Sequence, residues 1–334
     1  MARHYTIPVF VPELACPNRC VFCNQRNISG TLCQPSDNEI HGIIRQRLET
    51  IPDKSKVEIG FFGGNFTGIP LADQEHYLRL VQPYILNKEV SSIRISTRPD
   101  YIDLQRLELL KQYGVETIEL GAQSLDKEVL KATGRGHSVE DVEKASRMIL
   151  ENGFSLGLQM MIGLPCDTLE KSLLTTKKIV LLGATSARIY PTLVIKDTAL
   201  ETLYHKGIYK PLSLEEAINW SKMLVPIFDE AGVKLIRLGL HPSEGLLNGE
   251  NLVEGPFHVS FAELVYTEIW NDLLEPFANG VKRKSICISV AEGQVNAAVG
   301  YYGKNRDMLK HRFKKVVFQD DAALGGREFH AYIS

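Results

Sequence analysis

The 334-residue chain has no charge of one dominant sign: 38 Lys and Arg stand against 40 Asp and Glu, a formal net charge of −2. A total so near zero excludes no class of partner, because it conceals local patches. Long apolar runs are missing as well. The longest early one, Ile7 to Ala15, is broken by Pro8, Pro12 and Glu13. It is too short for a membrane helix and lacks the charged segment and cleavage pattern of a signal peptide. The expectation is a cytoplasmic protein with no membrane partner. Cysteine is scarce, at six, and a chain of this size without a secretion signal does not read as a disulfide scaffold. There is no low-complexity segment and no Gly-rich pyrophosphate loop. What is present is ordinary for a soluble globular chain, with 44% hydrophobic and 23% charged residues, enough to bury a substantial core in one large or two medium domains.

The first two thirds alternate apolar, β-like runs with amphipathic segments. Strand candidates are 9–15, 57–62, 92–96, 117–122, 156–162 and 187–194, rich in Val, Ile, Leu and aromatics as parallel strands are. Between them stand helix starts: Ser36 with Glu39, Ser138 with Asp141, Asp167 with Glu170 and Ser213 with Glu216. Repeated strand–helix units predict a parallel sheet, doubly wound or an incomplete α/β barrel, with ligands at the carboxyl ends of its strands. Pattern alone does not separate the two. Beyond about residue 235 the pattern changes. A strand is expected at 234–238, a helix at 261–274, a hairpin of 285–290 with 294–299, a helix at 307–315 and a strand or two from Val316. The chain thus divides into a core over 1–235 and a smaller α+β domain over 236–334.

Three of the cysteines fall in Cys16-Pro-Asn-Arg-Cys20-Val-Phe-Cys23, directly after the first strand candidate. Thiolates are the preferred ligands of iron–sulfur clusters and of structural zinc. Three so close can hold three corners of a cubane and leave one iron open to a substrate. A zinc site completed by Cys33 or a histidine is the plainer alternative. Such sites usually pair two C-x₂-C knuckles or add histidines, and neither pattern occurs.

The C-x₃-C-x₂-C spacing, with aromatic Phe22 before its last cysteine, resembles the signature of the radical S-adenosylmethionine superfamily. The resemblance implies a partial (β/α)₆ barrel and a [4Fe–4S] cluster on Cys16, Cys20 and Cys23. It implies reductive cleavage of S-adenosylmethionine to a 5′-deoxyadenosyl radical, fed by a low-potential donor such as flavodoxin or ferredoxin. Gly63-Gly64-Asn65 looks like the superfamily's segment that meets the methionine amino group, with Asn65 in place of the usual acid. Gln123-Ser124, Gly134-Arg135-Gly136-His137 and Gly163-Leu164-Pro165 resemble oxygen-independent coproporphyrinogen oxidases. Ser96–Asp100 and Tyr190-Pro191-Thr192-Leu193-Val194-Ile195 resemble the catalytic subunit of the elongator complex, a likeness running over about residues 5 to 240. By resemblance, Gln123 (with Ser124 beside it), Arg135 and Gln159 seat S-adenosylmethionine. Gly163 and Leu164 offer backbone to its adenine. Ser96 stands where both families carry an acid, and Arg98 and Tyr190 are the catalytic candidates.

The elongator family carries a wider cysteine spacing and an acetyltransferase-like domain for which this chain has no room. Its chemistry on acetyl-CoA does not transfer. Between Val281 and Lys315, however, nine Lys and Arg stand against two acids, interleaved with Tyr301, Tyr302 and Phe313. Cations with aromatics suit RNA, and the elongator likeness points to transfer RNA. A tetrapyrrole-metabolising enzyme and a non-catalytic metal-stabilised RNA-binding module are the rival expectations. Cys166 and Cys287 read as packing residues. The histidines show no ligand spacing, although His241 and His258 flank a loop that could reach the barrel mouth.

Overall fold

The computed structural model describes residues 4–11, 16, 20–24, 35–240 and 242–334. The last four positions of the first expected strand (12–15), together with Asn18, Arg19, Cys33 and His241, lie outside the described residues.

One sheet carries β1 (His4–Phe10), β2 (Lys56–Phe62), β3 (Ser92–Thr97), β4 (Val115–Gln123), β5 (Ser155–Ile162), β6 (Ser186–Pro191) and, past a short β7 (Val194–Ile195), β8 (Lys234–Leu238). All seven strands pair in parallel, each with its predecessor in this order. The order advances in one direction, which is the winding of a barrel and not of a doubly wound sheet. The two edges turn toward each other, so that His4 and Thr6 on β1 and Lys234 and Ile236 on β8 line one cavity. The fold is an α/β partial barrel of seven strands: β1 meets the expected 9–15 only at Val9 and Phe10, β2 to β6 fall close to the expected runs, and β8 is the seventh.

The strands alternate, but with the usual preference reversed. Their apolar residues (Ile7, Val9, Ile59, Phe61, Ile93, Ile95, Ile118, Leu120, Leu158 and Ile189) are buried in the main core with residues of the helices. Their other face, with Thr6, Glu58, Arg94, Thr117, Glu119, Ser155, Gln159 and Arg188, lines the cavity. Capping boxes at Ser36, Ser138 and Ser213 open the helices Asp37–Leu48, Val139–Glu151 and Leu214–Glu230 as the spacing predicts. At the helix Leu169–Leu181 the cap is instead Thr168. Asp167 turns inward and accepts from the Gly163 N–H and the Ser172 hydroxyl, each at 2.9 Å.

A second, smaller sheet has β10 (Arg283–Val290) at its centre, between parallel β11 (Phe313–Asp320) and antiparallel β12 (Phe329–Ile333); β9 (Leu252–Glu254) pairs with β7 apart from it. The expected hairpin over 285–299 does not form. Residues Val295–Val299 are helical, and β11 and β12 from the tail supply β10's two partners instead. The helix expected over 307–315 runs instead over Lys304–Lys310, and Phe313 opens β11 with its ring buried. The helix Phe261–Ala278 joins the two halves. Its Phe261, Val265 and Ile269 belong to the main core, and its Trp270 and Leu274 to a second core with Ile286, Ile288, Val290, Leu309 and Phe313.

Candidate active site

The cavity inside the curled sheet holds about 1080 Å³, at the upper end of the roughly 300–1,000 Å³ common for ligand sites. Cys16, Cys20, Phe22 and Cys23 stand on its rim with Gly63 and Gly64. Ser96, Gln123, Arg135, Gln159 and Tyr190 stand on its walls. Eleven of the expected site residues therefore share one space.

The rim is fixed by backbone. The Val21 N–H donates to the Thr133 carbonyl at 3.0 Å, the Leu200 N–H to the Val21 carbonyl at 2.7 Å, and the Cys23 N–H to the Cys20 carbonyl at 3.0 Å. Cys20 and Phe22 pack with Leu164, Val194, Leu200 and Tyr209 in a small apolar cluster. Gly63 has φ +117°, and a Cβ there would stand 2.3 Å from the Val11 carbonyl oxygen, so only glycine brings this backbone to the cavity edge. Arg135 donates to the Gly121 carbonyl at 2.7 Å and reaches the Cys20 sulfur at 3.5 Å. Gln159 donates to the Gln123 side chain at 3.2 Å; Gln123 itself ends β4 with φ +65°.

Five expected residues stand behind the wall. Asn65 accepts from the Thr97 hydroxyl at 2.8 Å and the Arg98 N–H at 3.3 Å. Ser124 accepts from the Asp126 N–H at 3.2 Å. The Gly163 carbonyl takes the Tyr209 hydroxyl at 2.6 Å, and Leu164 is buried. Arg98, 0% exposed, forks onto Asp100 at 2.9 and 2.8 Å and onto the Arg135 carbonyl at 2.9 Å.

The floor of the cavity is a chain of buried charge that the sequence reading passed over. Arg94 donates to Glu58 at 2.8 Å and lies 3.6 Å from Glu119; Arg188 holds Glu119 at 2.8 Å and donates to the Tyr190 hydroxyl at 3.3 Å. Burial works against the charge of Arg188, but Glu119 outweighs it and lifts the guanidinium pKa above its ordinary value. Burial likewise pushes the Tyr190 phenol up, so it stays a neutral donor. The signal was available: Val-Glu58-Ile, Ile-Arg94-Ile, Ile-Glu119-Leu and Ala-Arg188-Ile each set one charge between apolar neighbours in a strand.

Among the described residues no three His, Cys, Asp or Glu side chains are already gathered into a metal cage. Fit therefore rests on donor chemistry: three thiols on one rim suit an iron–sulfur cluster, and the cations beside them suit its negative charge.

Residues 13–174 match the Radical SAM superfamily, and residues 184–271 match the Radical SAM C-terminal domain. An uncharacterized protein of Methanocaldococcus jannaschii is 31% identical over 228 residues, 64% of this chain and 69% of that one. The chain belongs to the Radical SAM superfamily. A tRNA uridine(34) acetyltransferase of Methanocaldococcus infernus is 29% identical over 194 residues, 51% of this chain and 36% of that enzyme. The chain thus spans about a third of that relative's length. The structure of the Methanocaldococcus infernus Elp3 shares the fold, with TM-score 0.67 and 23% identity over 82% of this chain and 64% of that one. Like this superfamily's other members, the chain is an enzyme; among its described residues no helix is long and apolar enough to cross a membrane.

Of the nine cations in 281–315, four are engaged. Lys304 pairs with Glu268, Arg306 and Lys310 pair with Asp307, and Arg312 caps the Phe277 and Val281 carbonyls. Lys282, Arg283, Lys284, Lys314 and Lys315 are exposed and have no ion-pair partner among the described residues. Phe313 is buried, whereas Tyr302 is 89% exposed.

Proposed function

We propose that this radical SAM enzyme binds a [4Fe–4S] cluster through Cys16, Cys20 and Cys23, cleaves S-adenosylmethionine reductively, and acts on transfer RNA in the cytoplasm. The observation that carries the reading is the shared cavity, which sets three thiols, the Gly63-Gly64 backbone, Arg135 and the Gln123–Gln159 pair around one space. When bound, the cluster supplies one electron, drawn from a flavodoxin- or ferredoxin-like donor, to break a sulfonium C–S bond and leave a 5′-deoxyadenosyl radical.

The protein's part is to bind and orient. Gly63 and Gly64 bring bare backbone to the methionine end, while Gln123, Gln159 and Arg135 offer polar contacts to the ribose and carboxylate. Phe22 and Leu164 give an apolar flank, with Gly163 held by Tyr209 and Asp167. Asn65 and Ser124 act from behind as supports. Tyr190, a neutral phenol steadied by Arg188, and Ser96 face the remaining volume, where a substrate would lie. The tRNA uridine(34) acetyltransferase relative and the strip of Lys282, Arg283, Lys284, Lys314 and Lys315, unpaired among the described residues, support the choice of RNA.

Anaerobic reconstitution with iron and sulfide, followed by dithionite and S-adenosylmethionine, should yield 5′-deoxyadenosine that disappears in Cys16→Ala. Bound zinc with no deoxyadenosine would overturn the reading in favour of a binding module. Transfer RNA affinity should fall with salt. Neutralising the five cations should flatten the log–log slope by about 3.5 to 4.5, at roughly 0.7–0.9 per phosphate contact.

A further inference from the structure

Arg98 is the second largest fully buried side chain in the described structure, after Trp270. A buried cation is costly unless its surroundings answer its charge and its hydrogen bonds. Only part of that answer is present. Nε and one terminal nitrogen of Arg98 are taken by Asp100 and the Arg135 carbonyl, and the other terminal nitrogen, Nη1, is buried with no partner among the described residues. Arg135, 7% exposed, repeats the pattern: its Nη2 serves Gly121, its Nη1 reaches the Cys20 sulfur, and its Nε is buried without a partner among the described residues. Arg98 and Arg135 are thus two buried cations joined through the Arg135 carbonyl, and Asp100 is the carboxylate that pairs with Arg98.

The third member of the group confirms the sign of the local field. His137 is 4% exposed, and burial together with Arg135 and Arg98 holds its pKa down at about 3. It is therefore neutral and cannot answer the two arginines. Negative charge is left to come from the other side, where Cys16 and Cys20 lie. Burial opposes the charge of Arg98, yet Asp100 and then these two sulfurs hold its pKa above the ordinary value.

We infer that Arg98, backed by Arg135, is a positioning residue for the cluster: its buried charge favours the reduced cluster and sets the reduction potential, while Asp100 trims that effect. The inference rests on the cluster reading above. Reduction adds one negative charge, and charge and hydrogen bonds around the sulfurs move cluster potentials. Because the pair is out of water, its influence is little screened. Arg98 is 0% exposed and is not among the residues lining the cavity, so it does not touch a substrate there.

The test is a redox titration of the reconstituted protein, read from the spin signal of the reduced cluster. Arg98→Gln should make the one-electron reduction about tenfold less favourable, a fall of ~59 mV. Arg98→Lys, which keeps the charge, should recover most of that fall. Asp100→Asn removes the opposing carboxylate and should move the potential the other way. Opposite signs are the mark of a field, because packing damage alone has no reason to reverse with the charge removed. Unchanged potentials, or a shift of one sign in both variants, would overturn the inference. Should Arg98→Gln hold no iron, Asp100→Asn decides by itself, a rise supporting the inference and no change refuting it. Absence of iron from the unaltered protein would instead sink the cluster reading.

Discussion

The inner face of the seven-stranded sheet and the inner face of the small C-terminal sheet follow opposite rules. In the small sheet, β10 turns Ile286, Ile288 and Val290 inward onto Trp270 and Leu274, and its Arg283 and Lys284 stay outside. In the large sheet the aliphatic residues point outward to the helices, and the strands carry Glu58, Arg94, Glu119 and Arg188 inward. An apolar inner face closes a core and serves cohesion. A charged one, held at a distance by its own ion pairs, keeps a space open. Barrel interiors are commonly filled by layers of Val, Ile and Leu, so the inward charges mark this sheet as the wall of a site.

The sharpest way to break the contrast is Glu119→Ala. Glu119 is 3% exposed and answers both Arg188 and Arg94. Its loss leaves Arg188 without its carboxylate and Arg94 with Glu58 alone, and urea denaturation should register a cost of ~3–5 kcal/mol, the range for breaking a buried pair. Replacing Glu58, Arg94, Glu119 and Arg188 together by apolar residues of similar size should return much of that stability while filling the cavity. S-adenosylmethionine binding would then be lost from a well-folded protein. A quadruple variant that still binds would show that the charges are mere filling.

On the other side, Trp270→Ala should cost ~3–4 kcal/mol, as large-to-small core changes do. Its ring is 0% exposed and packs edge-on at 5.9 Å to Phe329. Hydrogen exchange should show the loss concentrated in 283–333, with the β2–β5 amides little changed. Equal loosening of both sheets would mean that the two cores are one cooperative unit, coupled through the helix Phe261–Ala278.

The same contrast explains how much was legible in advance. Strand–helix alternation and three capping boxes are local signals that led to the right elements, with β1 displaced toward the N-terminus, and the cysteine spacing led to the right family. The rim followed from motifs at strand ends. The cavity floor did not, because a single Glu or Arg between aliphatic residues announces an inward charge only when several strands are compared side by side. The hairpin over 285–299 failed for a related reason. Val295–Val299 has strand-like residues, but β10 found both its partners in the tail, and pairing over such separations leaves no local trace. Asn65, Arg98 and Ser124 lie one layer behind the cavity, since a motif gives a position along a strand and not the depth of its side chain.

The smallest effect sits at Asp167, a half-buried carboxylate held by the Gly163 N–H and the Ser172 hydroxyl. Burial raises its pKa to about 6, against the pull of Ser172, the Gly163 and Thr168 N–H groups and Lys171. Unfolded, it would titrate near 3.9. Between those values the folded state holds a proton that the unfolded state releases, so stability falls as pH rises from about 4 to about 6. The group weakens the fold above that window by at most about 3 kcal/mol, a ceiling set by the shift and lowered by its partial exposure to water. Asp167→Asn keeps a carbonyl oxygen for the Gly163 N–H and removes the charge. It should flatten the pH dependence of thermal stability in that window and raise stability at pH 7. Were the slope to survive the substitution, the burial of Asp167 would be answered by its hydrogen bonds, and a turn that the sequence marks only as a helix start would prove as well satisfied as the ion pairs of the cavity floor.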